Sequence, residues 1–445
     1  MTASPRRHWR ARVGAFITAT ALSGGLLTGC SMASSDDSSG KGTLTAWAWG
    51  SPADGLKATA EAFEKSHPGV TIKVLDLGNP AIWDKITAGM AAGGVGLPDV
   101  MDIGGDYMSN YLETFPDGFA NLGDKGAGSL AKDFPDGLWK GGQNAKGQQY
   151  GIPFEDNTNL VYYRKDLFKK AGVDIDSIRT WDQMLAAGVK IKKATGADLF
   201  AVDKAASQAD SANFFEMLDR LQGTFFFNDK GEITLSDKGN VNALTFLKEA
   251  NDKHLVADIP QSQGTTSQMK GQQPVAIMPG ASWMVDSFQQ TAPEMKGKWG
   301  VRMSPAMQEG GYTASSASAT YLTIAKASKQ QKLAYEYVKY SMATLAGQEV
   351  LTKADGLFPS YEPMWNTAGF KEPNSYFGLN TNQLIVKALS QKTPPDYYTK
   401  DYPKALKVYD DAQTQVLVKG ADPKAALDAA VKLLAQQTGR KIAMG

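Results

Sequence analysis

The sequence is poor in the residues that bind metals or form covalent links. Its 445 residues contain one cysteine, Cys30, so no internal disulfide can form and the fold must rest on its own core. Three histidines, His8, His67 and His254, are far apart, and no cluster has zinc-ligand spacing. Charge of one sign is also lacking. Forty-seven basic residues nearly balance forty-six acidic ones, which leaves +1 and no clustered basic footprint for nucleic acid. No apolar run reaches the roughly 20 residues of a membrane-spanning helix. Gly-x-Ser-x-Gly, His-Glu-x-x-His and Walker loops are missing. Gly126-Ala127-Gly128 imitates a dinucleotide loop but follows no strand, and Ser129-x-x-Lys132 lacks the motifs that accompany a β-lactamase nucleophile.

What is present is 42% apolar and 21% charged, the composition of a globular chain with room for two or three domains. Arg6, Arg7, Arg10 and Arg12 form a basic start, followed by the small and apolar run "VGAFITATALSGGLL" at residues 13–27. This is the pattern of a secretory signal peptide. It ends in Leu27-Thr28-Gly29-Cys30, which resembles the bacterial lipobox. That resemblance implies removal of residues 1–29 and lipidation of the new N-terminal Cys30. Two acyl chains anchor firmly where one would be marginal. Arg6-Arg7 leaves Sec and twin-arginine export both open. Residues 30–42, rich in Ser, Asp and Gly, read as a tether too polar to bury a core.

From Thr43 the pattern is β-α-β-α-β. "TLTAWAWG" is a strand, Leu56, Ala60 and Phe63 mark one helix face, "VTIKVLDL" is a second strand and "PDVMDI" a third. That order predicts an α/β fold with parallel strands, and ligands in such sheets lie at the strands' carboxyl ends. A capping box at Thr180 and Gln183 starts a helix that closes on Gly196. Asp422, Pro423 and Gly439 bracket another near the end.

The segments "TLTAWAWGS", "AFEKSHPGVTIKV", "ITAGMAAGGVGLPDVMDI", "YGIPFEDNTNLVYYRKDLFKKAGVD", "TWDQM", "MKGQQPVAIMPGASW" and "DGLFPSY" stand in one order over nearly all of residues 43–440. Together they resemble the solute-binding proteins of sugar ABC importers, the maltose-binding-like group. The resemblance implies two α/β lobes, discontinuous in sequence and joined by crossing strands, with the ligand held in the cleft between them. By analogy, 43–154 with 313–357 form the first lobe and 155–312 with 358–445 the second. It also implies a monomer without cofactor or metal, an oligosaccharide ligand and permease subunits as partners. The protein would be held at the outer face of the cell membrane through Cys30.

A sugar offers apolar ring faces and hydroxyl rims, so its site needs flat aromatics and polar side chains. Trp47 and Trp49 are read as facing opposite sides of the first strand, with Trp49 and Ser51 nearer the cleft. Asp106 and Tyr107 are placed in the loop after the third strand, where the group carries a ligand-contacting acid. Glu155 matches another such acid, and Asn157 stands two residues on. Trp283 ends "MPGASW" and matches a sugar-stacking tryptophan. Tyr361 and Tyr398 are taken as C-terminal aromatics of the site, with Trp365 and Tyr397 as weaker candidates. The Ser-rich run "TASSASAT" is placed at a hinge or cleft edge. Two other readings remain: a binding protein for a non-sugar solute, and a secreted glycoside-acting enzyme whose two acids would face each other about 5–9.5 Å apart.

Overall fold

The computed structural model describes residues 41–207, 211–391 and 396–443. The signal peptide, Cys30 and nearly all of the tether lie outside the described residues.

β1 (Gly42–Ala48) buries Leu44, Ala46 and Ala48 on one face and pairs in parallel with β2 (Val70–Asp76) and β3 (Val100–Gly104). Parallel neighbours need long crossovers, and the helices Gly50–Ser66 and Ala81–Ala91 supply them. The first buries Leu56, Ala60 and Phe63, the face that the spacing predicts.

β4 (Gly151–Arg164) is fourteen residues long and joins two halves of the chain. Its first part pairs antiparallel with β9 (Ser316–Ile324), which itself pairs with β3. Its second part pairs with β7 (Ile277–Ala281) on one side and β8 (Trp299–Met303) on the other. β5 (Phe200–Val202) and β6 (Val256–Asp258) form a separate parallel pair. Thus β4 and β9 carry the sheet from one lobe into the other. β4 shifts register against β9 at Pro153/Glu155 and again at Asn157/Thr158. Such bulges bend a strand and re-aim its side chains, and here they flank Glu155, Asp156 and Asn157.

Four apolar clusters fill the lobes. Two lie around β1 to β3: one includes Leu44, Phe63, Tyr337 and Met342, the other Ile82, Trp83, Ile103 and Tyr111. Two lie beyond the crossing, one around Trp181, Phe200, Phe215 and Tyr409 and one around Tyr162, Phe288 and Trp299. The first cluster continues through Leu357, Tyr361 and Met364. Among the described residues no helix is long and apolar enough to cross a membrane.

Two local expectations change. Trp47 and Trp49 both pack against the same cluster under β3. Side chains two apart on a strand share a face, so the expectation of opposite faces was wrong. Asp106 and Tyr107 are not in a loop: the helix Gly105–Thr114 starts directly after β3, with Asp106 in its first turn.

Candidate functional site

The floor of the site is the crossing itself. Ser316, Ala317, Ser318 and Ala319 of β9 are half-buried and small, which leaves space above them. On the first-lobe side this floor meets the ends of β1 and β3. Trp49 caps the helix Gly50–Ser66 and meets Trp83 edge-on at 4.8 Å. Trp83 stacks on Tyr107 at 4.2 Å and 13°, and its indole N–H donates to Asn79 Oδ1 at 3.0 Å. Ser51, half-buried, lies in the first turn of the same helix as Gly50. These groups form an aromatic wall beside Asp106. The N-terminus of a helix favours an acidic side chain in its first turn.

On the second-lobe side, Trp283 follows β7 and remains 40% exposed. Its backbone N–H donates to Asn157 Oδ1 at 3.1 Å, and the Ser282 hydroxyl donates to the same oxygen at 2.8 Å. Asn157 has no exposed surface. The structure therefore places it behind Trp283 as a positioning residue, not on the cleft wall as expected. A cavity of about 200 Å³ lies beside Trp283, lined by Asn159, Ser318, Gln268, Glu216 and Arg220 among others.

Arg220 and Glu216 are charged groups that the sequence reading did not single out. They sit one turn apart on the helix Asn213–Arg220, whose residues from Phe214 to Arg220 are all buried. The guanidinium meets Glu216 at 3.1 Å and Asp396 at 3.0 Å, donates to the Tyr398 hydroxyl at 2.9 Å and lies over the Phe225 ring at 4.6 Å. Tyr402 donates its hydroxyl proton to Glu216. Burial raises the Glu216 carboxyl despite the pull of Arg220, and raises Asp396 in the same way. The available sequence signal was an acid and a base four apart in the aromatic-rich stretch "ANFFEMLDR". Such pairs are common on solvated helix faces, so the spacing alone does not reveal a buried one.

The two walls face each other. Asp106 feels the charges of Glu216 and Arg220, and Tyr398 feels that of Asp106. At the rim Lys400 meets Glu113 of the helix Gly105–Thr114 at 3.0 Å. Tyr398 thus joins the second-lobe charged cluster through Arg220, and Tyr397 beside it is exposed.

Three predicted site residues, Tyr361, Trp365 and Glu155, do not reach the cleft walls. Tyr361 is buried in the first-lobe core with its ring 5.6 Å from Phe134, and an aromatic held there has no face for a ligand. Trp365 packs on Phe358 and donates to the Pro359 carbonyl. Glu155 is buried beneath the floor near Asp102 and Asp355, whose carboxyls are raised mainly by burial, with the charge of Glu155 adding to it. Its neighbour Asp156 keeps some open surface.

The sequence pattern of the bacterial extracellular solute-binding protein family matches residues 49–344. The chain belongs to this family. An arabinooligosaccharide-binding protein of Bacillus subtilis is 28% identical over 428 residues, covering 93% of this chain and 96% of that one. A lactose-binding protein of Rhizobium radiobacter is 26% identical over 351 residues, covering 76% and 80%. Among solved structures, the ABC transporter associated binding protein of B. animalis subsp. lactis Bl-04, in complex with β-1,6-galactobiose, superposes with a TM-score of 0.75. It is 22% identical and the match covers 91% of this chain and 100% of that one. The two-lobed α/β expectation for this solute-binding protein therefore holds.

The carboxylates around the floor of this solute-binding protein make its stability depend on pH. Burial pushes Asp106 up to about 6, and Glu155 and Asp156 up to about 7. Unfolded, all three titrate near 4. The folded chain holds protons that the unfolded chain has released, so this contribution is complete below about pH 4 and is lost as pH rises through 6–7. The melting temperature without ligand should be lower at pH 8 than at pH 5, and Asp156→Asn should reduce the difference. A melting temperature that climbed steadily from pH 5 to pH 8 would refute the assignment.

Proposed function

We propose that this protein captures an oligosaccharide outside the cell and delivers it to an ABC permease in the membrane. The observation that carries the reading is the pairing of Trp283 on one wall with the Trp49–Trp83–Tyr107 group and Asp106 on the other, across a floor of small residues. Aromatic faces suit the C–H faces of sugar rings, and the acids suit their hydroxyl rims. The names of the relatives support the same ligand class. In this reading residues 43–154 with 313–357 move against 155–312 with 358–445. Open and closed arrangements pre-exist, and a ligand that touches both walls favours the closed one.

Binding rather than catalysis is the proposed role, and the relatives named above are likewise binding proteins. A thermal-shift screen over mono- and oligosaccharides tests the reading, because a ligand that binds only the folded state raises the melting temperature. A shift with at least one neutral oligosaccharide is expected. No shift with any saccharide would sink the proposal.

We further propose that Cys30 carries the lipid anchor and that the working chain starts there. The supporting observations are the basic start, the apolar run and the Leu27-Thr28-Gly29-Cys30 junction. Cys30→Ser should move the protein from the membrane fraction to the medium or the soluble fraction. Unchanged membrane retention would count against the anchor.

A further inference from the structure

Among the described residues, the charged groups that face the cleft are mostly carboxylates. Asp106 comes from the first lobe and Asp156 from the crossing strand β4. Glu216, Asp396 and Arg220 come from the second lobe. Among the described residues, four carboxylates thus stand against one guanidinium, and that guanidinium is already held by two of them. Arg220 is 4% exposed, held by Glu216, Asp396 and the Tyr398 hydroxyl, with Phe225 over its face. Its Nε and Nη2 are thus engaged, and an anion meeting the remaining Nη1 would stand beside the two carboxylates that hold the other nitrogens. Lys400 at the rim is paired with Glu113.

A surplus of carboxylate does not treat all saccharides alike. A neutral ring brings hydroxyls that donate to carboxylate oxygens. A uronic acid or sugar phosphate brings a second negative charge into a water-poor site, where like charges repel by several times more than in bulk water. We infer that the cleft selects neutral saccharides and rejects those that carry a carboxylate or phosphate. This rests on the sugar-binding reading above and adds the charge class of the ligand.

The test uses the full chain at pH 8 and low salt, where Asp106 and Asp156 are above the values near 6 and 7 at which they titrate. A neutral oligosaccharide that raises the melting temperature is compared by calorimetry with its C6-oxidised uronate and with the methyl ester of that uronate. Oligogalacturonides are included in the first screen. The uronate should bind at least about tenfold more weakly than the neutral sugar, and the methyl ester should recover most of the loss. Asp106→Asn should narrow the gap. A uronate that binds as tightly as its neutral counterpart would overturn the inference and leave the sugar-binding reading standing. Binding of oligogalacturonides where no neutral sugar binds would do the same. Failure of every saccharide, charged or neutral, would overturn both.

Discussion

Replacing Arg220 with methionine is expected to cost the protein about 3–5 kcal/mol of stability at pH 8, the usual scale for removing one partner of a buried ion pair. The reason lies in what stays behind. Glu216 and Asp396 are almost fully buried, and the guanidinium is the cation that both of them meet. Asp219, one residue before Arg220, has no exposed surface, and burial raises its carboxyl well above the usual range despite the pull of Arg220. Methionine fills much of the volume but leaves three carboxyls without compensation. They can relax only by taking up protons, so the deficit should be smaller at pH 5 than at pH 8. Arg220→Lys keeps the charge but not the fork that reaches Glu216, Asp396 and Tyr398 together, and should fall between. Urea denaturation at the two pH values measures all of this. A loss below about 1 kcal/mol at pH 8, or a loss that grows on acidification, would show that Arg220 does not neutralise this cluster.

The case of Arg220 also shows where a single sequence stops being informative. Local order was legible because it depends on neighbours in the chain. Thr180 and Gln183 form both halves of their capping box, Gly196 closes that helix with φ 79°, and Asp422 and Gly439 bracket the last long helix. Trp283 could be singled out because "MPGASW" is read from adjacent residues alone, although Gly280 lies inside β7 and not in the turn that follows it. The partnership of Arg220 with Asp396 is different, since 175 residues separate them and neither position shows it. Tyr361 failed for the same reason. Its sequence neighbours allow a cleft aromatic, but Phe134 and the first-lobe core claim its ring. Asn157 was recognised as unusual among apolar residues, and that was correct. Its partners Ser282 and Trp283 lie on a strand-to-helix junction more than a hundred residues away, so its supporting role shows only in three dimensions.

Trp283→Ala should weaken oligosaccharide binding by about 2 kcal/mol, the scale of an aromatic anchor, which is roughly 30-fold in dissociation constant. The fold should hardly notice, because the ring is 40% exposed while its backbone anchor at Asn157 survives the substitution. Phenylalanine keeps a smaller apolar face and should recover part of the loss. Two further variants separate the ring from its setting. Asn157→Ala removes the acceptor beneath the Trp283 N–H, so it should lower both affinity and stability, with about 1–3 kcal/mol lost from the fold as the groups it served lose their partner. Trp365→Ala removes a ring that packs on Phe358 and Phe370 away from both walls, so it should lower stability and leave affinity nearly unchanged. Calorimetry on a sugar found by thermal shift, paired with urea melts of each variant, distinguishes the three patterns. If Trp283→Ala kept full affinity, the second-lobe wall would lose its aromatic anchor, and the ligand would have to be held by Tyr397, Tyr398 and the first-lobe stack instead.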